Sequence, residues 1–181
     1  RITLMINYKI IDNLLPEGEF KKLYDYIVFN IQFPLTIDSG VGYGPNNEDY
    51  NEELENDFRN WYATHISYIN DVPISNSYDV IAPILSPVFN QLKLKSLLKI
   101  KTNFYPYTHE IFEHCPHIDY SFPCGAALFS LNTCNGFTRL SDGTKIDSIA
   151  NRVVLFEGNT LHNSSTTSNA KGRWNINFNY L

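Results

Sequence analysis

The segment from Arg173 to Tyr180 alternates strictly between polar and large apolar side chains. The apolar residues are Trp174, Ile176, Phe178 and Tyr180, and the polar residues are Arg173, Asn175, Asn177 and Asn179. Because side chains on a β-strand point alternately to opposite faces, this period of two predicts a strand with one apolar and one polar face. The polar face is either exposed to water or enclosed. In a barrel, a polar row that begins with an arginine can line a wet cavity.

Three other stretches of the C-terminal half have strand character. In the first, one face carries Leu98, Ile100, Thr102 and Phe104, and the other carries Lys99, Lys101, Asn103 and Tyr105. Tyr105 therefore faces opposite to Phe104. The apolar run Val153–Phe156 predicts a strand that ends at Gly158, and a third strand is predicted from Ala126 to Asn132.

The N-terminal half predicts helices that support the sheet. Apolar residues at helical spacing predict helices over Pro16–Asn30, about Glu52–Tyr62 and about Tyr78–Leu92, although Pro83 and Pro87 oppose the third. The 181 residues are 43% hydrophobic and 14% aromatic, which is enough for a packed core. Because no repeat or linker divides the chain, we expect one domain over 1–181, with 1–98 as support and 99–181 as the core that holds the functional site.

His117-Ile118-Asp119 and the later His162 form a pattern of metal-ligand type. On a strand, His117 and Asp119 would share one face, and His162 could come from a neighbouring strand. Two imidazoles and one carboxylate on one side of a metal leave the opposite positions open, as in non-haem Fe(II) oxygenases. A structural zinc site is instead closed by four ligands. The three residues alone leave zinc and a chance match open.

The other histidines and the cysteines are predicted to be structural. The odd number of cysteines, Cys115, Cys124 and Cys134, and the lack of a CxxC motif predict reduced thiols and no disulfide framework. His65, His109 and His114 are predicted to be surface or turn residues, with His114 at the rim of the metal site.

The stretch Ser39–Asn47 is rich in glycine, but its spacing fits neither common phosphate-binding pattern. We therefore expect Gly40–Gly44 to be a mobile loop that borders the mouth of the site and becomes ordered over substrate, with Tyr43 as its side chain of most interest.

Bulk properties exclude several partners. The formal charge of −5 and the pI near 5.5 argue against a nucleic-acid partner. No apolar run approaches the ~20 residues that cross a bilayer, so no membrane partner is expected. Polar residues interrupt the segment Arg1–Ile11, which does not resemble a signal peptide, and a cytoplasmic location is the expectation.

The region from about Lys99 to Leu181 resembles the 2-oxoglutarate- and Fe(II)-dependent oxygenases, in particular the prolyl-4-hydroxylase-like branch and its small viral and marine members. The resemblance rests on motifs in family order: Thr102–Pro106, His117-Ile118-Asp119, Ser130–Thr133, Asn135–Thr138, Asn151–Phe156, His162, and Arg173 followed by Asn175–Phe178. It implies a mainly β double-stranded β-helix, that is, a cupin-like jelly roll with the N-terminal helices packed on its outer face.

The resemblance also implies residue roles. The Fe(II) ligands and catalytic centre would be His117, Asp119 and His162. Arg173 would bind the distal carboxylate of 2-oxoglutarate through two hydrogen bonds, a role that a lysine often takes in the narrower branch. Further residues of the 2-oxoglutarate pocket would be Tyr105, Ser130 and Thr138.

The implied reaction uses dioxygen to couple oxidative decarboxylation of 2-oxoglutarate to hydroxylation of a C–H bond, with ascorbate as an additive for activity. The carboxylate of Asp119 favours hydroxylation over halogenation, since halogenating relatives lack it. The leading substrate is a prolyl residue in a peptide or protein. A hydroxylase of free amino acids or other small molecules and a catalytically silent jelly-roll binding module remain alternatives.

Overall fold

The computed structural model describes residues 6–41, 53 and 56–181. In these ranges the strands are β1 (Lys9–Ile11), β2 (Thr36–Asp38), β3 (Tyr62–Ile69), β4 (Val72–Pro73), β5 (Leu97–Pro106), β6 (Gly125–Ser130), β7 (Phe137–Leu140), β8 (Lys145–Asp147), β9 (Arg152–Glu157), β10 (His162–Ser164) and β11 (Gly172–Tyr180). The α-helices are α1 (Glu17–Tyr24) and α2 (Tyr78–Leu92), and a π-helical segment, Asp25–Phe29, continues α1.

Antiparallel pairing arranges the strands in two sheets. The major sheet has the order β1-β9-β6-β11-β5-β3-β2, with β4 paired to β3, and the minor sheet has the order β10-β7-β8. Neighbours in the major sheet are therefore mostly distant in sequence, as in a double-sheet jelly roll. The prediction of a mainly β jelly roll is confirmed.

Strand β11 occupies the centre of the major sheet, between β6 and β5. Its apolar residues Ile176 and Phe178 are fully buried on the outer face of the sheet. Its polar residues are also buried: Arg173 is 1% exposed, Asn175 0% and Asn177 7%. The polar row predicted from the sequence is therefore enclosed and does not face water.

The helices cover the outer face of the major sheet. One apolar cluster joins residues of both helical segments with sheet residues of β5, β6, β9 and β11; its fully buried members include Leu23, Ile27, Ile81, Leu85, Ile100, Ala127, Phe129, Val153, Ile176 and Phe178. Burial of this surface is the main force that holds the helices on the sheet. The predicted packing of N-terminal helices on the outer face is confirmed.

A second apolar cluster lies on the opposite face of the major sheet, where residues of β7 and β8 in the minor sheet pack against β6 and β9. Its buried members are Ala126, Leu140, Ile146, Val154 and Phe156. Apolar packing thus fills one part of the space between the sheets, and the buried polar residues of β11 fill another.

Helix α2 runs through both of its prolines. Pro87 has no backbone N–H to donate to the carbonyl of Pro83, which would lose its helical partner. The hydroxyl of Ser86 donates to that carbonyl at 2.9 Å and so replaces the missing bond. The predicted helix over Tyr78–Leu92 is confirmed, as is the helix predicted over Pro16–Asn30.

The helix predicted over Glu52–Tyr62 is wrong for its second half. Glu53 is helical, but the described residues from 56 to 61 form turns and Tyr62 begins β3. The carboxylate of Asp57 accepts hydrogen bonds from both the backbone N–H and the guanidinium of Arg59, each at 2.8 Å. An aspartate that binds the backbone two residues later favours a turn over a helix, and this local bond overrides the apolar spacing.

No helix in the described part of the chain is long and apolar enough to cross a membrane.

Replacing Phe178 with alanine is expected to lower the free energy of unfolding by about 3–5 kcal/mol, because it leaves a cavity between the sheet and α2. Chemical denaturation measures this change. The matched control is Phe58→Ala, since that ring is 87% exposed, and its unfolding midpoint should stay close to that of the unmodified protein. Equal destabilisation by the two variants would contradict the described core.

Candidate metal site and cavity

The segment that carries His117 and Asp119 pairs with the edge of the minor sheet. His117 and His162 exchange backbone hydrogen bonds of 2.8 and 2.9 Å, and the N–H of Asp119 donates to the carbonyl of Gly158 at 2.9 Å. The expected regular strand is absent here, because this pairing is a single isolated bridge. The bridge is nevertheless sufficient to bring the two sequence-distant motifs together.

The side chains of His117, Asp119 and His162 converge. One ligand atom of each lies within 4.8 Å of the others, and no cysteine belongs to the cluster. The Nδ1 of His162 donates to the carbonyl of Thr160 at 2.8 Å, and that of His117 lies 3.5 Å from the carbonyl of Cys115. Because a carbonyl only accepts, both rings are held with Nδ1 protonated, and Nε2 keeps the lone pair that a metal needs.

Burial keeps both imidazoles in the neutral form that binds metals. Burial, with His162 as the next contribution, lowers the pKa of His117 to about 3. Burial also lowers the pKa of His162 below its usual value. Two neutral imidazoles and one carboxylate on one side of a point fit a divalent metal that keeps open coordination positions.

Asp119 is fixed by side chains from β11 and β5. The amide of Asn179 donates to its carboxylate at 2.9 Å, the amide of Asn177 donates at 3.0 Å, and the ammonium of Lys99 lies 3.7 Å away. Burial alone would raise the pKa of Asp119, but the charge of Lys99 and the hydrogen bonds from the two asparagines hold it well below its usual range. The carboxylate is therefore ionised and oriented, as a metal ligand must be.

The three ligands border a cavity of about 210 Å³ between the two sheets. Its other lining residues come from the segment after β2, from β3, β5, β6 and β11, from the minor sheet and from the segment that carries His117 and Asp119: Val41, Tyr62, Lys99, Lys101, Asn103, Tyr105, Ile118, Leu128, Thr138, Ser164 and Asn177. A larger surface groove beside Cys124 and Tyr180 contains none of the predicted site residues.

Arg173 is a buried cation without a described anionic partner. Its Nη2 donates to the hydroxyl of Thr138 at 2.7 Å and its Nη1 to the carbonyl of Ser165 at 3.3 Å. Its Nε is buried without a hydrogen-bond partner, and no described carboxylate lies within 4 Å. Burial lowers the pKa of Arg173, and a buried guanidinium without an anion is costly. The arrangement therefore has the chemistry of an anion site.

Gly136 gives Arg173 its space. A Cβ atom at position 136 would lie 2.8 Å from the Cδ of Arg173 and 2.7 Å from the carbonyl of Thr166. The glycine that precedes β7 therefore leaves free the space that the arginine side chain occupies.

The four residues predicted to bind 2-oxoglutarate differ in their positions. Tyr105 and Thr138 line the cavity, while Arg173 lies behind them, with its guanidinium 5.3 Å from the centre of the Tyr105 ring. Ser130 pairs with Asn175 and is buried, but it does not line the cavity.

His114 was expected at the surface or in a turn at the rim, and that prediction is wrong. The residue is 3% exposed and its Nδ1 lies 2.9 Å from the hydroxyl of Ser164. Its ring packs 5.4 Å from that of Tyr105. A lone histidine carries no periodic signal, so its burial could not be inferred from the sequence. His65 is half-buried beside Ser75 and Ser77, and His109 is exposed as expected.

The three buried cysteines form no disulfide, as predicted.

Two lysines in the cavity were not singled out by the sequence analysis. Lys99 and Lys101 occupy the same face of β5 as Tyr105, and the alternation of β5 was the signal that could have identified them. Burial, reinforced by Lys99, lowers the pKa of Lys101 to about 8.

The glycine-rich loop lies largely outside the described residues. Val41, which is one of its described residues, lines the cavity beside Tyr62 and Tyr105. Gly42, Tyr43 and Gly44 are outside the described part, so their predicted mobility and approach to substrate remain predictions.

Similar folds are found among solved structures. A prolyl hydroxylase from Trichoplax adhaerens, in complex with a hypoxia inducible factor oxygen degradation domain peptide fragment, is 18% identical, with a TM-score of 0.65 over 96% of this chain and 83% of that one. A Pseudomonas putida prolyl-4-hydroxylase is 14% identical, with a TM-score of 0.60 over 97% and 93%.

A third similar structure is the epimerase SnoN in complex with iron, alpha ketoglutarate and nogalamycin RO. It is 12% identical, with a TM-score of 0.61 over 97% of this chain and 79% of that one. No protein-family profile matches the chain, and no curated protein matches it in sequence. At these identities the likeness establishes a shared fold.

Replacing His162 with alanine is expected to weaken Mn(II) binding by about 100-fold or more, and Asn179→Leu by about 10- to 100-fold, because a partner that orients a ligand typically contributes that much. Titration calorimetry measures both. The control is His109→Ala, an exposed histidine, which should bind Mn(II) like the unmodified protein. Unchanged affinity of the His162 variant would contradict the metal site.

Lowering the pH below about 6.5 is expected to destabilise the protein through His114. Burial lowers the pKa of His114 to about 3, so the folded state keeps it neutral while the unfolded state takes up the proton. The unfolded state then binds one more proton at His114, so this residue contributes a loss of stability of up to about 1.4 kcal/mol for each unit by which the pH falls, in addition to the contributions of the buried His117 and His162. Urea denaturation from pH 7 to 4.5 measures this slope. The variant His114→Gln should show a shallower slope, and an identical slope would contradict the assignment.

Proposed function

We propose that this protein is an Fe(II)- and 2-oxoglutarate-dependent hydroxylase. One observation carries the proposal: a buried arginine without a described anionic partner lies next to a cavity whose wall holds two neutral histidines and an ionised aspartate. A metal site alone would fit many reactions. Because Arg173 provides a second site, for a carboxylate, the pair of sites favours a cosubstrate that would bind the metal at one end and carry a carboxylate at the other.

The residues of the described cavity fit both groups. His117, Asp119 and His162 would hold Fe(II) through two nitrogen atoms and one oxygen, and the buried orphan Nε of Arg173 has hydrogen-bonding capacity that a carboxylate would satisfy. Bound Fe(II) and 2-oxoglutarate supply the activation of dioxygen. In the overall reaction one oxygen atom enters the C–H bond of the substrate, and the other enters succinate as carbon dioxide leaves.

The residues of the chain would position these groups. Arg173, fixed by Thr138 and the Ser165 carbonyl, would set how deeply 2-oxoglutarate enters. Tyr105 closes one wall and stacks on Tyr62 at 5.9 Å between ring centres. The buried wall limits access of water to the reacting atoms, which favours electrostatic binding of a carboxylate.

For the substrate, our leading candidate is a prolyl residue in a peptide or protein. The support is the fold similarity to two prolyl hydroxylases, one of them solved with a peptide fragment. A second candidate is a small molecule such as a free amino acid. The fold similarity to SnoN, whose complex contains nogalamycin RO, and the charged lysines inside the cavity favour this candidate.

The metal ligands argue against the alternative of a catalytically silent binding module. Such a module needs no metal ligands, yet hydrogen bonds hold His117, Asp119 and His162 in an orientation suited to a metal. In this proposal the chain, residues 1–181, is a single catalytic domain.

Incubation with Fe(II), ascorbate, 2-oxoglutarate and candidate substrates is expected to release succinate, and Asp119→Ala should abolish that release. Arg173→Leu should raise the half-saturating 2-oxoglutarate concentration by roughly 10- to 100-fold, because it removes charge-assisted hydrogen bonds.

Succinate is measured by mass spectrometry across a 2-oxoglutarate titration. The matched control is Arg152→Leu, since Arg152 forms an ion pair with Asp12 far from the cavity. An unchanged 2-oxoglutarate requirement in the Arg173 variant would remove the cosubstrate assignment.

A further inference from the structure

Lys99 and Lys101 place two positive charges inside the cavity. Both lie on the inward face of β5, and both line the cavity together with His117 and Asp119. Lys99 is largely buried, with 12% of its side chain exposed. Lysine is rarely enclosed unless it has a partner, because desolvation of an ammonium is costly. The two ammonium groups therefore need anionic partners inside the cavity.

The described carboxylates do not balance both lysines. Lys99 lies 3.7 Å from Asp119, and no described carboxylate lies within 4 Å of Lys101. Asp119 and the exposed Asp38 act on Lys101 only at longer range. The contact observed for the Lys101 ammonium is the ring of Tyr62, with 5.4 Å to its centre. A metal ion bound to Asp119 would neutralise that carboxylate, and Lys99 would then also lack an anionic partner.

The strand register separates these lysines from Arg173. Tyr105 is opposite Arg173, Lys101 is opposite Asn177, and Lys99 is opposite Asn179. Four residues along β11 correspond to roughly 13 Å, at about 3.3–3.4 Å per residue. Asn177 and Asn179 both donate to Asp119, so the lysines lie at the level of this ligand, away from the arginine.

A single five-carbon dicarboxylate that chelates the metal and reaches Arg173 cannot also neutralise the two lysines. Positive charge is therefore found in two separate places: Lys99 and Lys101 line the cavity beside Asp119, and Arg173 lies behind Tyr105 and Thr138. The arginine suits the cosubstrate, and the two lysines are left for a second anion.

We propose that Lys99 and Lys101 bind a carboxylate of the substrate, so that the substrate is a small carboxylic acid, such as a free amino acid or its N-acyl derivative. This inference rests on the proposed function. It favours the small-molecule candidate over an internal prolyl residue, because an internal residue has no carboxylate of its own. A carboxylate held by the lysines would lie close to the metal and hold a nearby C–H bond of the same molecule beside it.

Matched acids and amides test this proposal. The protein is loaded with Zn(II), which does not support turnover, and with N-oxalylglycine, an inert analogue of 2-oxoglutarate. Calorimetry then compares free L-amino acids and their N-acetyl derivatives with the corresponding primary amides. At least one acid is expected to bind about tenfold or more tightly than its amide, a difference of about 1.4 kcal/mol. If no acid binds better than its amide, the proposal is overturned.

Substitutions of Lys101 test whether this lysine causes the tighter binding of the acid. Lys101→Met should remove the preference for the acid, and Lys101→Arg should retain most of it because the charge remains. The control is Lys22→Met, an exposed residue of α1 paired with Glu19, which should retain the full preference. A preference that persists in Lys101→Met overturns the proposal.

Binding of 2-oxoglutarate itself separates this proposal from the proposed function. If the Zn(II)-loaded protein does not bind 2-oxoglutarate, the proposed function fails, and this inference fails with it. If 2-oxoglutarate binds but its affinity falls in Lys101→Met as much as in Arg173→Leu, the lysines serve the cosubstrate and only this inference is overturned. The expected result is loss of acid binding with unchanged 2-oxoglutarate affinity.

Discussion

The architecture of the site depends on one central strand that is buried on both faces. The apolar side of β11 is packed under the helices, so the strand cannot shift its register without exposing Ile176 and Phe178 to water. The same constraint fixes the polar side inside the molecule. Buried polar groups require partners, and here the partners are functional groups: Asn177 and Asn179 donate to Asp119, and Arg173 donates to Thr138.

Several atoms of this polar interior are buried without hydrogen-bond partners. Among the described residues they include the Nε of Arg173 and the Nε2 of His114. Arg173 and the Lys99–Lys101 pair add positive charge at two separate positions along β11, and Asp119 is the one carboxylate among the described lining residues. This imbalance favours anionic ligands over neutral ones, both for the cosubstrate and, in our further proposal, for the substrate.

The spacing of apolar residues along the chain predicted most of the fold, because that spacing depends directly on which side chains are buried. The strands β5, β9 and β11 and the helices α1 and α2 all have strong apolar patterns, and the structure contains each of them. The prediction failed where a local hydrogen bond opposed the pattern, as at Asp57 and Arg59. It also failed for His114, since the burial of one isolated polar residue depends on neighbours distant in the chain.

The sequence alone determined which residue types were available and which face of each strand they occupied. It therefore predicted the three candidate metal ligands, the polar row on β11 and Arg173 at its head, but it left open whether that row is enclosed or faces water. The tertiary structure decided which of these groups meet. The bridge between His117 and His162, the contact of Asp119 with Asn177 and Asn179, and the position of Ser130 outside the cavity all depend on pairing between distant segments. Strand order and register set those distances, and residue spacing along the chain does not encode them.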